Sequence, residues 1–357
     1  SPYKLAKGEF NFVLLLLSCL LHPHHHVAWA APVVPDLSSC HMPVCFPAAE
    51  PLFDCCAPAA SYEPRLFRPS APSSPRIRRP AHNASSSYAA ILARAYSLMK
   101  ALPSDDPRSF THQANIHCAY CNSAYNQLNS PSILFQVHES WLFLPFHRWY
   151  LYFHERILAK LLGDDDTFAL PFWNYDDHSA TSIPWIFDSY NDTLVSSVRD
   201  PLHRGPDATA RIDNPYVEDR PRQQQLHEND YTLYRMFVGD SSSQEDFFGL
   251  PYRQGDYPMP GGGCVEMMPH KSVQIWVGSK TSVGLKDMGS FYAAARDPVF
   301  YAHHAEIDRM WQLWRTFPNY EDITDDDYLN SEFLFYNEDA ELVRVKVGDA
   351  LNTSLLG

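Results

Sequence analysis

Residues 113–152 read QANIHCAYCNSAYNQLNSPSILFQVHESWLFLPFHRWYLY, and the three histidines in that run decide how the rest of the chain is interpreted. His117, His138 and His147 stand among aromatic and small residues with almost no charge. Imidazole is a preferred protein ligand for copper, zinc and iron. A lone histidine in such a setting is more often a satisfied core residue. Three of them, walled by Trp141, Phe143, Phe146, Trp149 and Tyr150, point instead to a dry, all-nitrogen metal pocket.

Working outward, Pro145 interrupts the segment between the second and third histidines. The expectation is that His138 ends one helix, His147 opens the next, and His117 arrives from an earlier turn. A helix is predicted from about residue 146 to 162, with Trp149, Phe153, Ile157 and Leu161 on one stripe, stopped by Gly163 and the aspartates at 164–166. A second histidine group lies downstream, in EMMPHKSVQIW (266–276) and DPVFYAHHAEIDRMW (297–311). Asp297-Pro298 is an N-cap followed by a helix-starting proline, so a helix is expected from there to about Trp314. One stripe of that helix, 300, 304, 307, 311 and 314, carries His304; another, 303, 307, 310 and 314, carries His303. Periodicity leaves the choice open. His270 follows Pro269 and is placed to reach the same metal. Two clusters on separate segments suggest two metals facing each other.

The chain of 357 residues is long enough for a large core, with 45% hydrophobic, 14% aromatic and 20% charged residues. Its net charge of −14 argues against nucleic acid and anionic membrane surfaces as partners. Of the 29 prolines, 13 lie before residue 82, a density that predicts an extended N-terminal region. Residues 12–21, FVLLLLSCLL, form a short apolar run after two lysines and before Ala28-Trp29-Ala30, the pattern of a targeting segment and its cleavage site. That run is too short to span a bilayer. His24, His25 and His26 would leave with it. The cysteines at 19, 40, 45, 55, 56, 118, 121 and 264 allow a disulfide-stapled tail whose pairing the spacing does not fix. Sequons begin at Asn83, Asn191 and Asn352. A helix is expected over 88–102 behind the serines at 85–87, residues 174–262 read as loop-rich, and the segment after Asp326 alternates like two strands. Arginines at 65, 68, 76, 78 and 79 read as a solvated or surface-docked strand in preference to an anion site.

Several long segments together resemble plant polyphenol oxidases (catechol oxidases) of the type 3 copper family: HCAYC (117–121), QVHESWLFLPFHRWYLYFHER (136–156), FALPFWNYD (168–176), DPRSF (106–110), MGSFYAAARDPVFYAHHAEIDRMW (288–311) and DYLNSEFLFYNE (327–338). The resemblance runs from about Pro35 to the last residue. It implies a mainly α fold, a four-helix-bundle dinuclear copper domain with a loop-rich periphery and a few short strands. It divides the chain into a targeting segment (1–31), a Pro-rich, disulfide-stapled extension (32–82), the copper domain (83–320) and the start of a small following domain, truncated here (321–357).

The same resemblance assigns His117, His138 and His147 to the first copper, and His270 and His304 to the second. The sixth ligand position holds Gln274 where the family has histidine. An amide is a poor substitute for imidazole toward Cu(I), so weaker copper at the second site and impaired activity form the alternative expectation. Cys40–Cys56 and Cys55–Cys118 match the family's disulfides, and Cys121 matches its thioether to the second ligand, His138. Phe291 matches the residue that shades the second copper. Glu266 matches a carboxylate that orients a water, and Lys271 a position tied to monophenol or diphenol preference. The implied reaction is oxidation of o-diphenols to o-quinones with O2 reduced to water. The resemblance implies the thylakoid lumen of a plastid, whereas the signal-like start fits the secretory pathway or a vacuole equally well.

Overall fold

Ser85 opens the first helix, α1 (Ser86–Ala101), its hydroxyl accepting from the Tyr88 amide, and Ser109 does the same for α2 (Phe110–Cys121) through His112. Two very short strands precede them, β1 (Pro35–Asp36) and β2 (Arg65–Leu66). A hairpin, β3 (Tyr125–Gln127) and β4 (Ser130–Phe135), leads to the core helix α3 (Phe143–Leu161). Long connections then carry α4 (Trp185–Asp188), α5 (Arg222–Tyr234), α6 (Gln244–Phe248) and α7 (Lys271–Val277). Helix α8 (Val299–Trp314), the short α9 (Asp326–Leu329) and a second hairpin, β5 (Glu332–Tyr336) and β6 (Leu342–Lys346), complete the chain. The computed structural model describes residues 31–43, 54–72, 74–239, 241, 243–318 and 320–356. The targeting run, His24–His26, Cys19 and Cys45 lie outside the described residues.

Helix α3 is buried on nearly every side, from Phe143 through Glu155 and again at Ile157–Ala159, which is the behaviour of a helix at the centre of a core. It packs on α8 and α1, and α1 packs on α2. Pro145 does not break it. Proline here is the third residue of the helix, and the first four amides of any helix lack an intrahelical partner, so the helix starts before Pro145 and His147 sits in its second turn. The predicted helix over 88–102 and the two strands after 326 form close to their expected positions. The 174–262 region is loop-rich but holds the short helices α4 and α6 and one longer helix, α5, that were not anticipated; the mean apolar content of α5 is low and few of its residues are buried.

Both sheets are small and serve to tie chain segments together. One has order β1-β3-β4 and the other β2-β6-β5, with β2 running parallel to β6. The second places Phe333 and Phe335 against Tyr120 and Phe146, with ring centroids 5.3–6.3 Å apart. The arginine-rich stretch does dock, through partly buried ion pairs. Arg76 and Arg78 lie 3.5 and 3.1 Å from the Glu155 carboxylate, and Arg78 also reaches Asp308 at 3.1 Å. Arg148 on α3 pairs with Asp308 at 2.6 Å and lies over the Trp311 ring. Cys40–Cys56 and Cys55–Cys118 are disulfide-bonded.

The start of α8 is fixed by Asp297, whose Oδ1 accepts from the Val299 amide at 3.0 Å. The same carboxylate receives two bonds of 2.7 Å from Arg199, both side chains being about 1% exposed. Removing one partner of such a pair strands the other charge in the core. Asp297→Ala is therefore expected to lower unfolding free energy by about 3–5 kcal/mol, seen as a fall in the urea midpoint at unchanged slope; a midpoint equal to the parent's would contradict the role assigned to this pair.

Candidate metal centre

Helix α2 brings His117 to the centre of the molecule, and α3 brings His147. His138 comes from the loop between β4 and α3 rather than from a helix end, and His117 comes from within a helix rather than from a turn. Backbone strain marks that loop: Glu139, next to His138, has φ +52°, a conformation uncommon for residues other than glycine and asparagine. Its amide donates to Glu266 Oε1 at 2.7 Å. The nitrogen or sulfur atoms of His117, Cys121, His138 and His147 all lie within 4.8 Å of one another, and all four residues are buried.

How these rings are wired matters more than that they are close. His117 Nδ1 donates to the Phe291 carbonyl at 2.7 Å, and His147 Nδ1 to the Phe143 carbonyl at 2.8 Å. Their Nε2 atoms, and both ring nitrogens of His138, are buried without a hydrogen-bond partner. A ring that spends Nδ1–H on a carbonyl carries its lone pair on Nε2, the arrangement of a metal-ligating histidine. Phe143 and Phe146 pack on His147 at 4.7 and 5.0 Å. Trp141 and Trp149, expected in the wall, stack elsewhere, on Tyr328 and on Phe67, Tyr152 and Phe153.

A second group faces the first. His270 ends the Glu266–His270 turn before α7, its Nδ1 donating to the Glu266 carbonyl at 3.3 Å and its Nε2 left unpartnered. His303 and His304 come from α8, and the ligand atoms of His270, His303 and His304 also lie within 4.8 Å of one another. The groups touch: His147 stacks on His304 at 4.2 Å and His138 on His270 at 5.7 Å. Gln274 is buried on α7, its Nε2 lying 3.2 Å from His304 Nε2. Sequence reasoning weighed His303 only as an alternative to His304; the structure brings both into the group.

Around these rings, Phe291 stacks on His138 with centroids 4.4 Å apart and planes 12° off parallel. The expectation placed it over the second metal, but its ring contact is with the first group. Glu266 Oε2 is buried and unpartnered, and a Cβ on Gly262 would come within 3.3 Å of it, so glycine there permits close packing. Lys271 Nζ lies 4.0 Å from Glu139 Oε1. The carbonyls of Phe291, Phe143 and Glu266, which orient the rings, could not be found from sequence because a backbone acceptor leaves no residue-type signal.

Residues 107–316 match the model of the common central domain of tyrosinase, and residues 322–357 match that of the polyphenol oxidase middle domain. The chain superposes on the crystal structure of Grenache (Vitis vinifera) polyphenol oxidase with a TM-score of 0.87 and 43% identity, covering 91% of this chain and 96% of that one. The chain belongs to the plant polyphenol oxidases of the tyrosinase family. It is 46% identical over 332 residues to a chloroplastic polyphenol oxidase of Malus domestica, and 44% identical over 328 residues to aureusidin synthase of Antirrhinum majus. These alignments cover 92% and 90% of this chain but 56% and 58% of the relatives, so the chain spans a little over half their length.

Membership of this family implies copper, and the first group fits it: neutral imidazoles, oriented by carbonyls, with unpartnered nitrogens directed together. Burial pushes His117 down to about 4, against an opposing pull from the Phe291 carbonyl. Burial, followed by neighbouring imidazoles, holds His138, His270 and His304 well below the ordinary value, as it does His147. These groups are therefore ligand-ready at neutral pH. Because the folded value lies below the unfolded one, the unfolded chain takes up protons first as pH falls. Metal-free protein should keep its full stability above about pH 6.5 and lose it progressively toward pH 4, with His117 alone accounting for about 3 kcal/mol. Urea midpoints measured at pH 7, 5.5 and 4.5 check this, and a flat profile would refute it.

Proposed function

We propose that this chain is a copper-dependent oxidase that converts o-diphenols to o-quinones and reduces O2 to water. The observation that carries this reading is the pair of histidine groups in contact, each with buried, unpartnered ring nitrogens. His117, His138 and His147 would hold the first copper, and His270 and His304 would hold the second, with Gln274 at the sixth position. When bound, the copper pair would supply the electron transfer, two electrons from each of two diphenols to one dioxygen, so that two o-quinones and two waters result. The polypeptide contributes position and proton handling. Phe291, half-buried and flat against His138, offers an aromatic face on which a phenol ring stacks. Buried Glu266 is raised well above the ordinary carboxyl value, burial outweighing the Glu139 amide that bonds Oε1. A carboxyl so raised takes up a proton readily, and its free Oε2 is the atom to hold a water or to accept a phenolic proton.

Relatives from Malus domestica, Prunus armeniaca and Vitis vinifera are named as chloroplastic, which supports a plastid as the site of action; the thylakoid lumen within it rests on the family resemblance. No helix among the described residues is long and apolar enough to cross a membrane. Copper loading followed by catechol-dependent oxygen uptake tests the activity. A chain that holds two coppers yet takes up no oxygen would overturn it. Gln274→His is expected to tighten the second copper by roughly tenfold or more in competition against a cuprous chelator; unchanged affinity would show that the amide costs nothing.

The buried Cys121 thiol, within 4.8 Å of the histidine nitrogens, supports a thioether to a ring carbon of His138. That bond forms as the thiol and ring each lose a hydrogen to dioxygen, and it fixes the loop-borne ligand. After reduction of the disulfides, the intact mass should be lighter than the sequence predicts by one pair of hydrogens. A full-weight chain with an alkylatable Cys121 would exclude the link.

A further inference from the structure

His303 has no task in the scheme above, yet it sits inside the second group. It is completely buried, and neither of its ring nitrogens has a hydrogen-bond partner. The backbone of His270 lies beside the ring. His117, His147 and His270 show the same general wiring, in which one ring nitrogen faces a carbonyl and the other faces the pocket.

Gln274 meanwhile occupies the position of the missing imidazole, and its Nε2 faces His304 Nε2 at 3.2 Å. An amide that donates there engages the lone pair that a metal would use. A glutamine oxygen is, besides, a hard, neutral donor unsuited to Cu(I). The second copper thus needs a third soft nitrogen, and one is present. We propose that His303 supplies the third nitrogen ligand of the second copper, in place of the imidazole absent at position 274. This rests on the paired-copper reading.

Consecutive residues of a helix point about 100° apart, so His303 and His304 do not lie on one face. Their rings nevertheless stand 5.3 Å apart at 72°, and His270 lies parallel to His303 at 5.4 Å. The ligand atoms of all three fall within 4.8 Å, which leaves a shared point between them. The competing role for His303 is plain packing between His270 and Tyr175, whose ring is 5.8 Å away.

The test loads the full chain and its variants with Cu(I), removes excess metal, counts copper per chain, and titrates the second copper out with a cuprous chelator. The parent should hold two coppers. His303→Leu should hold one, the affinity of the second falling more than a hundredfold, beyond the 10–100-fold that a supporting residue commands. Adding Gln274→His to His303→Leu should restore two. If the second copper weakens by less than a hundredfold in His303→Leu, His303 is a packing residue and the proposal fails while the paired-copper reading stands. If the parent itself binds one copper, the paired reading fails and takes this one with it. Metal-free melts establish that each variant folds, with His303→Asn replacing the leucine variant should that one not fold.

Discussion

Backbone carbonyls aim the imidazoles of this molecule, and the centre depends on that. Three histidines place Nδ1 toward the carbonyls of Phe291, Phe143 and Glu266. Each bond fixes both the ring's rotation and its tautomer, and so directs the Nε2 lone pair inward. Without a metal those lone pairs are buried with nothing to accept, an arrangement that costs stability. The same desolvation that makes them costly holds their proton affinity down, so the pocket presents neutral nitrogen rather than imidazolium. One physical condition, burial with a single oriented acceptor, therefore sets geometry and protonation together.

That condition also explains what could and could not be read from the chain. The helix beginning at Asp297-Pro298 was legible because capping chemistry is local: the carboxylate bonds an amide two residues away. So were the closing strands, whose alternation reflects one buried face. Pro145 misled because a proline in the first turn and a proline that ends a helix look alike until the helix start is known. Helix α5 was missed since so little of it is buried that no apolar period records it. The histidine clusters were visible by composition and by resemblance, yet periodicity left the choice between His303 and His304 open and the resemblance alone named His304. Both lie in the stretch 299–307, every residue of which is buried, so no polar face there sets the phase. Arg76 and Arg78 carry charge in sequence and lie in ion pairs with α3 and α8, a role that only tertiary neighbours define.

Helix α2 shows why the segments outside the helical core matter to the centre. It has only twelve residues, too few to be stable alone, and its apolar residues do not form a stripe. Its position is set from three sides. Cys118, adjacent to His117, is bonded to Cys55 of the N-terminal extension. Tyr120 exchanges hydrogen bonds with the backbone of Leu334 in β5 and stacks on Phe335. Asn115 donates to the Asp54 carbonyl and accepts from Arg296, just ahead of α8. Every pin lies within three residues of the histidine, so the extension and the closing hairpin act on His117 through a rigid turn or less of helix. A displacement of that helix would move Nε2 by a similar distance, and metal ligation tolerates only a few tenths of an ångström. The N-terminal tail and the β5–β6 hairpin are thus parts of the metal site in the energetic sense, although neither contributes a ligand.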